Sequence, residues 1–386
     1  MSSRRALFAC ACVGMLTFGI VLTILGAVLP TVIERFGIDK AQAGSLFLLM
    51  TFGILAGSLV FGPMVDRYGY KGMLLFAIVL IIAGLEGIAL APSMPILRIA
   101  IALIGFGGGI VNGGTNALVA DISTEGKGAG LNLLGVFFGI GAVGVPFILA
   151  TLGARYDSST LVAAVGVLVL VPFLFIASNP FPAPKHPQGF PIAAAGKLTQ
   201  DPLLLLMGFM LFLESGMEIM VGGWTSTFVN EVLAVTPRTA LIVLSLYWLG
   251  MMLARLALGT FLRKVQSIRV LYVCITIGVL ASVILLTTGN LIIACFGVFF
   301  LGVGFAAAFP TILGFVGDRY AELSGTAFSL VIAMALCGGM LLPWLAGVVG
   351  GSYGMRASFV IVPVALVILA TLLSILSRSL RLNSTV

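Results

Sequence analysis

Two glutamates, Glu214 and Glu218, stand inside a long apolar stretch of the sequence, LFLESGMEIMVGGW. They are four residues apart, so in a helix they lie on one face. A charged group in hydrocarbon costs at least about 2.5 kcal/mol unless it faces protein or water. Because burial and mutual repulsion disfavour two neighbouring charges, the pair need not be fully ionised. We therefore expect the pair to line a cavity and to exchange a proton or a sodium ion against a substrate.

Glu218 is the preferred coupling residue of the two, because it lies closer to a helix break that we expect at Gly222-Gly223-Trp224. A hydrogen bond to a neighbouring helix remains the structural alternative for Glu214. Both glutamates are candidates for ion coupling and for substrate binding.

Amide and aromatic side chains supply the other candidate binding groups. Asn112 and Asn116 repeat the four-residue spacing in a glycine-rich stretch, where amides either join helices or contact hydroxyl groups of a ligand. Trp224 and Trp248 could stack on the apolar face of a sugar ring or serve as interfacial anchors. No set of His, Asp and Glu suits a metal, and no nucleophile constellation is recognisable. We therefore expect neither an enzyme nor a metal or other cofactor.

The composition excludes a water-soluble globule. Of the 386 residues, 60% are hydrophobic and only 9% are charged, against roughly 25% charged in an average soluble domain. Apolar runs long enough to cross a bilayer as helices recur along the whole chain. The sequence predicts an all-α membrane protein with twelve spans, near 8–33, 42–63, 71–91, 95–120, 128–151, 160–177, 202–229, 238–261, 268–288, 290–315, 323–349 and 355–377.

The basic residues predict the orientation of these spans. With the N-terminus inside, thirteen of the 20 Lys and Arg residues fall on the cytoplasmic side and six outside, as the positive-inside rule requires. Both termini are then cytoplasmic, and the net charge of +7 needs no nucleic-acid partner. We expect a monomeric, multi-pass protein of the plasma membrane, in a bacterium the inner membrane, whose partners are the lipid bilayer, a small-molecule substrate and a coupling ion.

The chain repeats itself at an offset of 197 residues. Matching glycines alone could arise by chance in a glycine-rich chain, but acids, prolines and tyrosines also match at this offset. Examples are Gly105 with Gly302, Asp121 with Asp318, Pro146 with Pro343, and Tyr156 with Tyr353. The sequence predicts a six-helix bundle at 1–177, a proline-rich cytoplasmic linker at 178–201 and a second six-helix bundle at 202–386. An even number of spans per unit makes the two repeats parallel.

The loop between spans 2 and 3 reads Gly62-Pro-Met-Val-Asp66-Arg67-Tyr-Gly69-Tyr-Lys71-Gly72. It resembles the signature loop of the major facilitator superfamily at every defining position. The resemblance implies the major facilitator fold and a cytoplasmic latch formed by the residues Gly62, Asp66, Arg67, Gly69 and Lys71. We expect Gly62 to let helices approach closely, and Arg255 in span 8 to snorkel or to pair with Asp66.

Three stretches resemble a narrower branch, the fucose/proton symporters and the sodium-dependent glucose transporter-like proteins. They are GFGGGIVNGGTNALVAD in span 4, LLGVFFGIGAVGVPF in span 5 and ESGMEIMVGGWTSTFV in span 7. The fucose-type pattern has an acid where this chain has Asn112, and another in span 1 where residues 14–30 offer none. A coupling carboxylate must therefore come from elsewhere in this chain.

These observations predict a secondary active transporter in which two six-helix halves rock around a site at mid-membrane. The expected cargo is a monosaccharide or a similar small polar solute, moved with H⁺ or Na⁺. A drug/proton antiporter that binds lipophilic cations is the first alternative. A membrane sugar sensor that binds without transport is the second.

Overall fold

The structure, a computed structural model, describes residues 4–122, 127–181, 200–261, 267–320 and 324–383. Most of the predicted linker at 178–201 lies outside these ranges. Every regular element within them is an α-helix. The helices of the first half are Arg4–Phe36, Lys40–Leu90, Met94–Ile122, Lys127–Leu152, Ser158–Leu168 and Leu170–Ser178. Those of the second half are Pro202–Leu233, Pro237–Phe261, Ser267–Thr287, Leu291–Phe305, Ala308–Arg319, Ser324–Tyr353, Met355–Ser358 and Ile361–Asn383.

Twelve helical stretches among the described residues are long and apolar enough to cross a membrane. We number them spans 1 to 12: Arg4–Phe36, Lys40–Gly62, Arg67–Leu90, Met94–Ile122, Leu133–Leu152, Ser158–Ser178, Pro202–Leu233, Pro237–Gly259, Ser267–Thr287, Leu291–Arg319, Thr326–Tyr353 and Met355–Arg378. The predicted all-α membrane fold with twelve spans is therefore confirmed.

Short polar side chains fix the starts of several spans. Each accepts a hydrogen bond from a backbone N–H of the first helical turn, which has no partner inside the helix. These caps are Asp39 before span 2, Asp157 before span 6, Asp201 before span 7 and Asn290 before span 10. The starts of these helices are therefore determined by short-range sequence features.

Glycines bring the helices of each half into backbone contact, and the contacts repeat at the 197-residue offset. A Cβ atom added to Gly105 in span 4 would collide with the carbonyl oxygen of Met50 in span 2. The equivalent Gly302 in span 10 lies against the carbonyl oxygen of Tyr247 in span 8. Without hydrophobic driving force between helices in lipid, such close packing is a main source of helix association.

The two halves meet mainly along spans 1 and 7, 2 and 11, and 5 and 8. We call the face with the 62–72 loop the loop face, and the other the opposite face. At the opposite face, Lys40 Nζ lies 2.7 Å from Glu231 Oε2. The Ser226 hydroxyl donates to the Gly26 carbonyl at 2.8 Å. Both bonds join the halves, so they close the opposite face in this conformation.

A polar pair on the loop face joins the start of span 7 to the end of span 10. Tyr320 Oη donates to Asp201 Oδ2 at 2.7 Å, while Asp201 Oδ1 accepts from the Leu203 N–H at 2.8 Å. Burial raises the pKa of Asp201, but these hydrogen bonds outweigh it and hold the pKa below its usual value. The bonds therefore stabilise the fold more when Asp201 is ionised than when it is protonated.

We expect Gly302→Ala to lower the thermal stability of the purified protein, because the added methyl group must push span 10 away from Tyr247. Overpacking of this kind costs about 1–3 kcal/mol. The matched control is Gly144→Ala, where a Cβ would meet no described atom within 4 Å. Equal melting temperatures for the two variants in detergent would contradict the assigned contact.

We expect Tyr320→Phe to destabilise the protein by about 1 kcal/mol at pH 7, through the lost hydrogen bond. The folded-state pKa of Asp201 lies below its unfolded value, so the stabilisation is present above the unfolded pKa and disappears as the pH falls through the folded pKa. The loss should shrink towards pH 3.

Melting temperatures measured from pH 7 down to pH 3 test this dependence. Tyr272→Phe is the control, because Tyr272 bonds the neutral Ser374 hydroxyl at 2.8 Å. A loss in Tyr320→Phe that is the same at every pH would refute the role of Asp201.

Candidate functional site

Span 7 runs as one unbroken helix through its glycine pair, so the break predicted at Gly222-Gly223-Trp224 is wrong. Both glycines instead make room for aromatic rings. A Cβ on Gly222 would lie 2.5 Å from the Trp248 ring, and one on Gly223 would lie 2.6 Å from the Phe47 ring. Span 7 is thereby wedged between an aromatic side chain of its own half and one of the other half.

Glu218 forms an ion pair across the membrane interior with Arg255 of span 8. Its Oε2 atom accepts a hydrogen bond from Arg255 Nη2 at 3.1 Å, and the two side chains are 12% and 20% exposed. The guanidinium also lies 5.8 Å from the ring centroid of Phe138 in span 5. Tyr247 Oη donates to the backbone carbonyl of Glu218 at 3.3 Å. The pair is therefore held by three spans of both halves.

Glu214 lies one turn away and is wholly buried. Neither of its carboxylate oxygens has a hydrogen-bond partner among the described residues. Burying an ionised carboxylate without a donor costs far more than burying a neutral polar group. The geometry of Glu214 therefore suits a protonated carboxyl group next to the Glu218–Arg255 ion pair.

The ion-paired residues Glu218 and Arg255 have no charged counterparts at the equivalent positions of the first half. At the 197-residue offset, Glu218 corresponds to Val21 and Arg255 to Ser58. Ser58 donates to the Gly109 carbonyl of span 4 at 3.3 Å. The duplicated scaffold is thus shared, whereas its ionisable centre is specific to the second half.

Span 10 is interrupted beside this centre. Its first helix ends at Phe305 and its second begins at Ala308. The Phe305 ring makes an edge contact with Tyr247 at 6.2 Å between centroids. Thr311, just inside the second helix, has a buried hydroxyl without a partner among the described residues. The sequence analysis did not identify Tyr247 or this break in span 10. The alanines that follow Phe305, together with Pro310, were the sequence signal for the break.

Asn112 and Asn116 lie half-buried on span 4. Asn116 Nδ2 donates to the Asn112 carbonyl at 2.8 Å and to Asn112 Oδ1 at 3.1 Å. They follow Gly108, which packs on Val21 of span 1, and Gly109, which packs on span 2. The described contacts do not bring either amide to the acid pair, so their role in binding stays a prediction.

The structure treats Trp224 and Trp248 differently. Trp224 is wholly buried, donates its Nε1–H to the Pro343 carbonyl at 2.9 Å and packs on the Phe47 ring, so both ring and donor are occupied. Trp248 is also buried, but its Nε1–H has no partner among the described residues. Its ring makes an edge contact with Phe138 at 5.8 Å. Of the two, Trp248 has the indole N–H that is unmatched among the described residues, and substrate binding by either tryptophan stays a prediction.

Trp248 and Arg255 share a narrow cleft between spans 5 and 8. The cleft is too tightly closed in this conformation to admit a water molecule, and it is lined by Gly135, Phe138, Gly139, Trp248, Met251, Met252 and Arg255. Met252 folds against Gly139, where an added Cβ would lie 2.5 Å from its Cγ. Because methionine is flexible, this wall can move to widen the cleft.

The 62–72 loop bends at Gly69, whose φ of 74° favours glycine. Lys71 Nζ donates to the Ala177 carbonyl at the end of span 6, at 2.6 Å. The Arg67 side chain is exposed and lies 5.4 Å from the Tyr68 ring. Within the first half, the loop is therefore fixed by Lys71.

The predicted latch is not assembled from these contacts. A Cβ on Gly62 would meet no described atom within 4 Å, so the expected close approach is not made in this conformation. The Asp66 side chain lies outside the described residues. The partner that the structure gives Arg255 is Glu218, in place of the predicted snorkelling or pairing with Asp66. The latch stays a prediction for another conformation.

A family model described as Major Facilitator Superfamily matches residues 10–327, most of the chain. The chain belongs to this superfamily. Its fold matches that of a crystal structure of a mutant of the nucleoside transporter NupG, with a TM-score of 0.80 at 15% identity, over 97% of this chain and 99% of the other.

Three curated transporters are similar to this chain over most of their length. The glucose/mannose transporter GlcP of Bacillus subtilis is 22% identical over 86% of this chain and 84% of its own. Sodium-dependent glucose transporter 1A of Mus musculus is 22% identical over 88% of each. The 3-(3-hydroxy-phenyl)propionate transporter of Escherichia coli is 25% identical over 85% of this chain and 83% of its own. The predicted superfamily and branch resemblance is confirmed.

We expect Arg255→Ala to destabilise the protein by about 3 kcal/mol, because it leaves the Glu218 carboxylate buried without its partner. Adding Glu218→Gln should restore most of this loss by removing the unpaired charge. Thermal melting of both single variants and the double variant measures the coupling. Additive losses in the double variant would show that the two side chains do not interact.

Proposed function

We propose that this superfamily member is a secondary active transporter that moves a small polar solute by alternating access and couples its movement to protons. The observation that carries the proposal is the buried pair of Glu214 and Glu218 with Arg255 at the interface of the halves. Ionisable residues inside a membrane mark ion pathways and proton relays. The two glucose-transporting relatives favour a monosaccharide as cargo, while the Escherichia coli relative favours a hydroxylated aromatic acid.

A proton suits this site better than a sodium ion. Both Glu214 oxygens are wholly buried without a hydrogen-bond donor among the described residues, and a single bound proton removes the cost of a buried, unmatched charge. A proton needs only one carboxylate. Glu218 can accept it whenever Arg255 is drawn away, because the remaining buried charge is then uncompensated.

We further propose that the loop face is cytoplasmic, with both termini on that side of a plasma membrane. The excess of Lys and Arg predicted for this side supports the assignment. The opposite face, closed by Lys40 and Glu231, then faces outward. In this assignment the conformation is closed on the outside, and the latch of Asp66 and its neighbours would form in the conformation that is open to the outside.

Uptake into proteoliposomes tests the function. We expect labelled glucose, mannose or fucose, or labelled 4-hydroxybenzoate, to accumulate above the external concentration when a proton gradient is imposed. A sodium gradient alone should not drive it. Glu218→Gln should abolish accumulation but retain counterflow exchange, because exchange of cargo requires no net proton movement.

Glu34→Gln is the matched control, since it removes an exposed carboxylate at the end of span 1, outside the proposed proton site. It should keep proton-driven accumulation. Accumulation driven by sodium alone, or unchanged in Glu218→Gln, would refute proton coupling by this residue. Uptake of none of these solutes, with expulsion of a lipophilic cation instead, would establish the antiporter.

A further inference from the structure

Arg255 has more hydrogen-bonding capacity than Glu218 uses. Its Nη2–H group meets Glu218 Oε2, but its Nε atom is buried without a partner among the described residues. The guanidinium presents its donors in a fixed planar fork that fits a carboxylate through two parallel bonds. The Nε–H donor of Arg255 therefore has no hydrogen-bond acceptor among the described residues.

The same cleft holds a second unmatched donor. Trp248 Nε1–H is buried without a partner among the described residues, and it lines the cleft beside Arg255. The remaining lining side chains are Phe138, Met251 and Met252, besides glycines. The lining side chains thus supply two N–H donors, a positive charge and apolar carbon, and no carboxylate or amide oxygen.

We propose that the cargo is a monocarboxylate that carries a ring. Its carboxylate binds the Nε–H and Nη2–H of Arg255 and accepts from Trp248, and its ring packs against Phe138 after Met252 moves aside. This assignment rests on the proposed transport function and names its substrate class. A sugar acid and a hydroxylated aromatic acid share this chemistry, whereas a neutral sugar carries no charge with which to replace Glu218 at the guanidinium.

The assignment also explains how cargo and proton are coupled. When the cargo carboxylate takes the edge of Arg255, Glu218 loses its ion-pair partner and takes a proton from water. The other titratable groups facing Glu218 are Glu214 of its own span and Tyr247 of span 8. The anion and the proton then cross together, with no net charge moved by the pair.

Binding can be read directly from Trp248, because the chain has only three tryptophans. In the Trp224→Phe, Trp344→Phe background, Trp248 is the sole indole. The protein in lipid nanodiscs is titrated with glucuronate and glucose, and with 4-hydroxybenzoate and 4-hydroxybenzamide. We expect the acid of one pair to change Trp248 emission at a concentration at least about tenfold below that of its neutral partner. The responding pair identifies the ring.

Two further variants separate a binding role from a structural one. Arg255→Lys should weaken binding of the acid about tenfold, because a lysine lacks the planar fork. The double variant Arg255→Gln, Glu218→Gln leaves no unpaired charge and should lose the preference for acids altogether. Glu218→Gln alone should still bind the acid, with a weaker dependence on pH.

The outcomes distinguish this inference from the proposed function. Equal binding of acid and neutral partner, or an acid preference that survives in the double variant, overturns the carboxylate assignment. So does proton-driven uptake of glucose without any response to either acid, and in that case the transport function stands. If none of the solutes is taken up in the proteoliposome assay, the proposed transport function itself is refuted.

Discussion

The structure depends on keeping one ionisable cluster inside hydrocarbon. Glu218 is compensated by Arg255 at 3.1 Å, and Glu214 is buried without a donor among the described residues. Both conditions require that lipid and bulk water be excluded by tightly packed helices. The glycines of spans 4, 5, 7 and 10 allow that packing, because their missing side chains let backbones and aromatic rings approach closely.

Span 7 connects this cluster to the closed face. Gly223 packs on Phe47 of the first half and Gly222 on Trp248, one turn beyond Glu218. Ser226, further along the same helix, bonds the Gly26 carbonyl across the interface. Span 7 therefore touches the first half at both levels, and the proposed alternating access would change both contacts together.

The two halves share the same helix packing, but only the second half carries the Glu218–Arg255 ion pair. The backbone contact of Gly105 with Met50 recurs as that of Gly302 with Tyr247, so both halves use the same close packing. The ion pair has no such counterpart, since Val21 and Ser58 occupy the equivalent positions. The first half contributes Phe138 to the cleft instead. One half therefore carries the charge, and the other contributes to the wall against which a ligand would bind.

The sequence by itself determined the twelve spans, the superfamily and the common helical face of Glu214 and Glu218, because hydropathy, motif and helical spacing are local properties. Only the tertiary structure decided that Arg255 pairs with Glu218 and that span 7 is unbroken at Gly222. Glycine pairs read alone suggest a weak helix, whereas packing against aromatic rings keeps this one intact. Pairing of charges 37 residues apart depends on how spans 7 and 8 rotate against span 5, which no local pattern encodes.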